Sequence, residues 1–203
     1  MKVLIACECS GRVREAFRTV GADAWSCDLK PAEDGSPYHR TEDVFAVIAS
    51  RSWDLLIAHP PCTYLCASGM HWTTRGIRPR HLTEEAAEFA LRLWNAPVPR
   101  VCIENPVGIL TSRIGPATQY VQPYQFGENA SKRTGLWLRG LPVLVPHPAF
   151  FVPGRLVGGL PRWSNQTDSG QNRLGPGATR ATERARTYPG IAAAMAAAWG
   201  RLA

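Results

Sequence analysis

The chain has 203 residues, 45% of them hydrophobic and 19% charged, which suits one globular domain with a real core. Its formal charge of +7, from 23 Lys and Arg against 16 Asp and Glu, admits a polyanion such as nucleic acid as a partner. Six cysteines scattered through apolar stretches do not make the disulfide framework of a small secreted domain, and no apolar run approaches a membrane span.

In chain order, Lys2–Cys7 is a short apolar run of β-formers, followed by the polar turn Glu8-Cys9-Ser10-Gly11. A helix is predicted over Arg12–Val20, ended by Gly21. Ala22–Cys27 predicts a second strand with Asp28 at its carboxyl end, and Phe45–Ser50 a short helix. Trp53–Ala58 is a continuous apolar strand that ends at His59-Pro60-Pro61-Cys62. Cys66–Leu82 reads as a basic loop. Thr83–Asn95 has helical periodicity with a capping-box-like start, Thr83-Glu84-Glu85-Ala86. Arg100–Ile103 is a fourth strand, ended by Glu104-Asn105-Pro106, and Gly135–Arg139 a fifth. Residues 142–176 are rich in proline and glycine and read as loop or irregular β structure. Ile191–Leu202 is an alanine-rich helix.

Strands alternating with helices predict an α/β fold with a mostly parallel central sheet. Such sheets bind ligands at the carboxyl ends of their strands. Asp28, Cys62 and Glu104 are all expected there, a placement that core packing does not require. Ser10 and Gly11 form a turn that lets backbone approach a ligand at a helix N-terminus. Asp28 can accept hydrogen bonds from ribose hydroxyls. Asp43 is either a third acid on that edge or the N-cap of a helix over Val44–Ser50. Two prolines hold the chain extended before Cys62 and present its thiol in a fixed direction. A thiolate there is a nucleophile, and Glu104 after the neighbouring strand is a carboxyl that can donate a proton to a ring nitrogen. Cys62 and Cys66, with Cys7 and Cys9, lack the paired spacing of a zinc site, so no metal is expected.

The order Ser-Gly turn, Asp28, Asp43, Pro-Pro-Cys, Glu-Asn, then Lys132-Arg133 resembles the cytosine-5 DNA methyltransferases, in the short versions carried by phages and prophages. The likeness runs through about Lys2–Gly140 and resumes at Arg186-Thr187-Tyr188-Pro189-Gly190-Ile191-Ala192. The resemblance implies a Rossmann-like S-adenosylmethionine-dependent fold and one catalytic domain over residues 1–203. It implies Cys62 as nucleophile, Glu104 on ring nitrogen 3 and Arg133 on the target base. Ser10, Gly11, Asp28, Asp43 and Pro60 would line the cofactor site. DNA is the implied partner, with no membrane and no obligate protein partner, in the cytoplasm of a bacterium or a phage-infected host.

The sequence departs from that family at Cys7-Glu8-Cys9-Ser10-Gly11-Arg12, at Thr63 and at Pro106. It also leaves no room for a large recognition domain. DNA contacts are therefore expected from Trp72, Arg75, Arg78, Arg80, Lys132 and Arg173, with the loop-rich segment 142–187 as a minimal recognition region. Competing readings are an exocyclic-amino methyltransferase, which needs no cysteine, an inactive DNA-binding homologue, and an enzyme acting on a free nucleotide.

Overall fold

The structure is a computed structural model that describes residues 1–175, 177 and 180–202, with the side chains of 180–182 outside the description. Positions 176, 178 and 179 of the expected recognition segment thus lie outside the described residues. Its centre is a seven-stranded sheet built from β1 (Lys2–Ala6), β2 (Asp23–Asp28), β3 (His39–Thr41), β4 (Leu55–Ala58), β5 (Arg100–Pro106), β6 (Gln119–Val121) and β7 (Thr134–Arg139). The spatial order is β3-β2-β1-β4-β5-β7-β6. Pairing is parallel from β3 through β5, while β7 runs antiparallel to both β5 and β6.

The two-residue period of the strands divides the core. Leu4, Ala6, Leu56, Ala58, Val101 and Ile103 face helices α2 (Val44–Ser50) and α4 (Arg80–Trp94). Val3, Ile5, Leu55, Ile57 and Cys102 face α1 (Arg12–Thr19) and α7 (Pro189–Trp199). All four residues of β4 are buried, as expected of a strand covered on both faces. Helix α1 buries Val13 and Phe17, one turn apart, and α7 buries Ile191, Met195 and Trp199 at the same spacing. The short helices α3 (Ala67–Thr74), α5 (Leu110–Arg113) and α6 (Arg180–Ala185) sit in the connections. Among the described residues no helix is long and apolar enough to cross a membrane.

Three expectations change. Cys66–Leu82 is not a loop, because α3 occupies its first half and α4 begins at Arg80. The capping box at Thr83 is replaced by Pro79, whose fixed φ of −58° sets the entry to α4. Thr83 is a buried position inside the helix, and Arg80 pairs with Glu84 along its first turn. Strand β5 also continues past Ile103, so Glu104 and Asn105 lie within the strand rather than after it. Antiparallel pairing with β7 sustains that extension, with Glu104 opposite Leu136 and Asn105 opposite Gly135. In segment 142–187, β8 (Arg155–Val157) and β9 (Leu160–Arg162) form a two-stranded ribbon. Trp163 stacks on Tyr124 with ring centroids 4.0 Å apart and docks the ribbon onto the chain before β7.

Candidate active site

A cavity of about 660 Å³ opens at the carboxyl ends of β1, β2 and β4. This is the point where the strand order reverses between β1 and β4, the usual crevice of an open α/β sheet. Its volume suits a ligand of nucleoside size or larger.

One end of the cavity is the turn after β1. Cys7 has φ 58°, the sole non-glycine in the left-handed region among the described residues. That tight turn swings Glu8 under α1, where its carboxylate accepts from the backbone N–H groups of Val13 (2.8 Å) and Arg14 (3.3 Å) and from the Ser10 hydroxyl (3.2 Å). The helix N-terminus is thus capped from within. Gly11 has φ 72°, and a Cβ there would overlap the guanidinium of the buried Arg14. Arg14 in turn holds the Ser26 hydroxyl (2.7 Å) and the Asp34 carboxylate, binding α1 to β2 and the loop beyond it. Asp28, the last residue of β2, lines the cavity and accepts from the Lys30 N–H through Oδ1 at 3.0 Å.

The other end is built on the turn after β4. The side-chain N–H of Asn105 donates to the Pro60 carbonyl at 2.7 Å, so the double proline is tied to β5. Pro61 and Cys62 then line the cavity, while Pro60 is buried behind them. A short 3-10 turn, Cys62–Tyr64, leads into α3. The loop after β5 clasps this turn: Ile109 donates to the Leu65 carbonyl (2.8 Å) and Ala67 to that of Val107 (2.9 Å). Gly108 is required there, since a Cβ would overlap the Leu65 carbonyl oxygen.

Cys66 lies one turn beyond Cys62, on the same cavity wall, with its N–H on the Cys62 carbonyl at 2.9 Å. The hydrogen bond between the two thiols, together with burial and the proximity of charge on Cys66, pushes Cys62 well up. The same bond holds Cys66 down, helped by the Ser68 hydroxyl at 3.2 Å at the start of α3. The two thiols therefore titrate as one pair, with Cys66 the member favoured to lose its proton first. Burial, with Asp28 beside it, pushes the Cys7 thiol up at the opposite end.

Glu104 is 7% exposed. Burial alone would raise its carboxyl, but the Lys132 ammonium, His59 and the Thr134 hydroxyl together hold it below the ordinary range. His59 Nδ1 lies 3.0 Å from Glu104 Oε2. His59 lines the cavity, whereas Glu104 is not among the residues that do. Sequence reasoning gave no site role to His59, Cys66 or Asn105. The signals were present: a histidine at the end of a buried strand, and a cysteine four residues after another.

The expected residues separate as follows. Ser10, Asp28, Cys62, Trp72 and Arg78 line the cavity, and Glu104 stands one side chain behind it. Gly11 and Pro60 support its walls from below. Asp43 instead caps α2, accepting from the N–H groups of Phe45 (2.9 Å) and Ala46 (3.2 Å). Lys132 is drawn inward, within electrostatic reach of Glu104 and Cys62, with its ammonium on the Arg184 carbonyl at 2.9 Å. Arg133 is exposed, its guanidinium 4.1 Å from the Tyr120 ring centre, and does not reach the cavity. Arg75, just past α3, and Arg80, at the start of α4, are exposed and do not line the cavity, and Arg173 donates to the Gln166 carbonyl at 2.8 Å. Residues Arg184–Thr187 cover the end of the cavity at the turn after β1, tied down by Arg12 to the Thr187 carbonyl (3.1 Å) and by Arg186 to Glu33 (2.8 Å). Among the described residues no group of His, Cys, Asp and Glu is arranged to hold a metal ion.

A solved structure described as a candidate DNA modification methyltransferase encoded within an E. coli prophage is similar to this chain, with a TM-score of 0.51 and 13% identity. The alignment covers 76% of this chain and 52% of that one, so the chain spans about half the length of its neighbour. At this identity the likeness concerns the fold alone, an α/β fold around a mostly parallel seven-stranded sheet. No family model matches the chain, and no curated protein matches it.

Proposed function

We propose that the protein transfers a methyl group from S-adenosylmethionine to carbon 5 of cytosine in DNA. The observation that carries this reading is the convergence of Cys62 and the His59–Glu104 pair on one crevice at the sheet's reversal point. The neighbour's description as a DNA modification enzyme agrees with it. The cofactor fits the residues present: the turn Cys7–Ser10 approaches the cavity closely, and Asp28 uses one oxygen on Lys30 and faces the cavity. Asp28 would hold the ribose, and Ser10 with the turn backbone the amino-acid end. Once bound, the cofactor supplies an electrophilic methyl on a sulfonium.

The chain's own groups supply the rest. Carbon 5 of cytosine is too weak a nucleophile until sulfur adds to carbon 6. Cys66, one turn away on the same wall and ionised in this reading, would take the Cys62 proton as the Cys62 sulfur forms the bond to carbon 6. Carbon 5 then takes up the methyl. The carbon 5 hydrogen leaves as a proton to water, the sulfur–carbon bond breaks to restore the ring, and the freed Cys62 sulfur takes its proton back from Cys66. The target atom lies inside a stacked duplex, so the base must be unstacked to enter. Trp72 and Arg78 at the cavity wall are placed to meet the strand that carries it, and segment 142–187 is the candidate recognition region.

Trapping tests this reading. DNA carrying 5-fluorocytosine blocks the final proton loss and should leave a covalent complex, seen by denaturing electrophoresis and absent in Cys62→Ser. Methyl transfer undiminished in Cys62→Ser would exclude the cysteine route and favour an exocyclic-amino substrate.

A further inference from the structure

We infer that Cys62 and Cys66 together form a modification site, a cavity-facing dithiol that a hydroperoxide converts to an intramolecular disulfide. Both thiols are free and both residues line the cavity. The Cys66 N–H bonds to the Cys62 carbonyl at 2.9 Å, one helical turn back. Such a turn sets two α-carbons about 6 Å apart with both side chains on one face, inside the range of roughly 4.4–6.8 Å that a disulfide spans. The two thiols are hydrogen-bonded to each other, so sulfur already meets sulfur.

The pair has the asymmetry that such a site needs. Cys66 is the N-cap of α3, with the Ser68 hydroxyl 3.2 Å from its sulfur and the Arg184 charge in reach, and it is the thiol favoured to ionise. Burial pushes the other four thiols up, and Cys27 and Cys102 have no exposed surface besides. A thiolate on a cavity wall beside a second thiol is the usual setting of a redox-sensitive cysteine. The Cys66 thiolate attacks the outer oxygen of the hydroperoxide, the O–O bond breaks, and the leaving oxygen takes a proton from water. Cys66 is then a sulfenic acid. The Cys62 sulfur attacks the Cys66 sulfur, the S–O bond breaks, and the departing hydroxide takes the Cys62 proton and leaves as water. The two sulfurs lose two electrons and the hydroperoxide gains them. The site stands on the pair alone, whatever reaction the cavity serves. On the cytosine-5 reading, the disulfide ties up both the nucleophile and its proton acceptor, and methyl transfer stops until a thiol reductant restores them.

Mass spectrometry reads the site directly. Trypsin releases residues 52–75, a peptide that holds Cys62 and Cys66 and no other cysteine. The reduced, folded protein is treated briefly with hydrogen peroxide, and free thiols are then blocked with N-ethylmaleimide. The peptide should be found two hydrogens lighter and unlabelled, and dithiothreitol should reverse the change. In urea the conversion should be about 10-fold slower or more, since the fold supplies both the ionised thiol and the contact. In Cys62→Ser, Cys66 should remain as a sulfenic acid that dimedone labels, and Cys66→Ser should slow oxidation of Cys62 on the order of 10-fold. A peptide that keeps both thiols under peroxide would overturn the inference, and so would a disulfide that forms as fast in urea as in the folded protein. Both results come from the wild type and hold even if the variants do not fold. Undiminished 5-fluorocytosine trapping by the fully disulfide-bonded protein would exclude Cys62 as the nucleophile and leave the modification site standing.

Discussion

Cys62 and Cys66 form one ionising unit, and its asymmetry has a local cause. Cys66 opens helix α3, and its sulfur gains the Ser68 hydroxyl at 3.2 Å, a partner Cys62 lacks. Cys62 is held up first by its hydrogen bond to Cys66, then by burial, then by the charge that Cys66 carries. Cys66→Ala removes the first and third causes together. Cys62 should then ionise at lower pH than in the wild type, shifting its own alkylation profile with iodoacetamide to the acid side. Peptide mapping across pH follows this, and a shift to the alkaline side would contradict the coupling of the two thiols. The same variant should slow methyl transfer at neutral pH, since the proton acceptor for Cys62 is lost. Glu104 yields a stability prediction of definite sign. Its carboxyl is held below its ordinary 4.5 in the folded state despite burial. The stabilisation it gives is therefore full above 4.5 and is lost as pH falls through the lower folded value. Glu104→Gln should flatten that acid limb in a series of urea denaturations at falling pH, while the wild type keeps it.

Helix α3 and strand β5 show how elements present these groups, and where the sequence is silent. The apolar runs of β1 and β4 and the helical periodicity of α1 and α4 are legible because burial on both faces, or on one stripe, writes itself into composition. Helix α3 is not legible in that way. Ala67–Thr74 carries no apolar stripe, and it is held instead by backbone bonds to the Cys62 turn and by the close seat of Gly69 against Thr63. Such tertiary support leaves no periodic trace. Likewise Glu-Asn-Pro reads as a strand's end, yet the antiparallel partner β7, 28 or more residues onward, extends β5 through it. Asn105 is the cross-tie that results. It is 1% exposed and reaches from β5 to the Pro60 carbonyl. Asn105→Ala should cost about 1–3 kcal/mol, because it leaves that carbonyl unpaired. The unfolding midpoint in urea measures the loss. Slower cysteine trapping should accompany it in the remaining folded protein, since the turn that aims Cys62 loses its anchor. A variant as stable as the wild type would show that the tie is dispensable.

The cavity as a whole is assembled from parts far apart in the chain: the turn after β1, the end of β2, the double-proline turn, α3, and the cover at Arg184–Thr187. The sequence names many of these residues but not their sorting. Basic residues all read alike in a chain of charge +7. Only three dimensions show that Lys132 turns inward to Glu104, that Arg133 lies over Tyr120, and that Arg173 is occupied by its own loop. Arg78 stands apart from these. It lines the cavity next to Trp72, donates to the Thr63 carbonyl at 3.2 Å and lies 5.5 Å from the Tyr64 ring centre. Its guanidinium is thus held at the cavity wall, where on the proposed reading a flipped base and its phosphate would enter. A cation that neutralises one phosphate contributes about one unit to the slope of log K against log salt. Arg78→Ala should therefore weaken DNA binding at low salt and lower that slope by about 1, whereas Arg173→Ala should leave it nearly unchanged. Fluorescence anisotropy with a labelled oligonucleotide over a salt series measures both. If Arg173→Ala carried the loss and Arg78→Ala did not, the strand would run along the β8–β9 side, and entry past Trp72 would have to be abandoned.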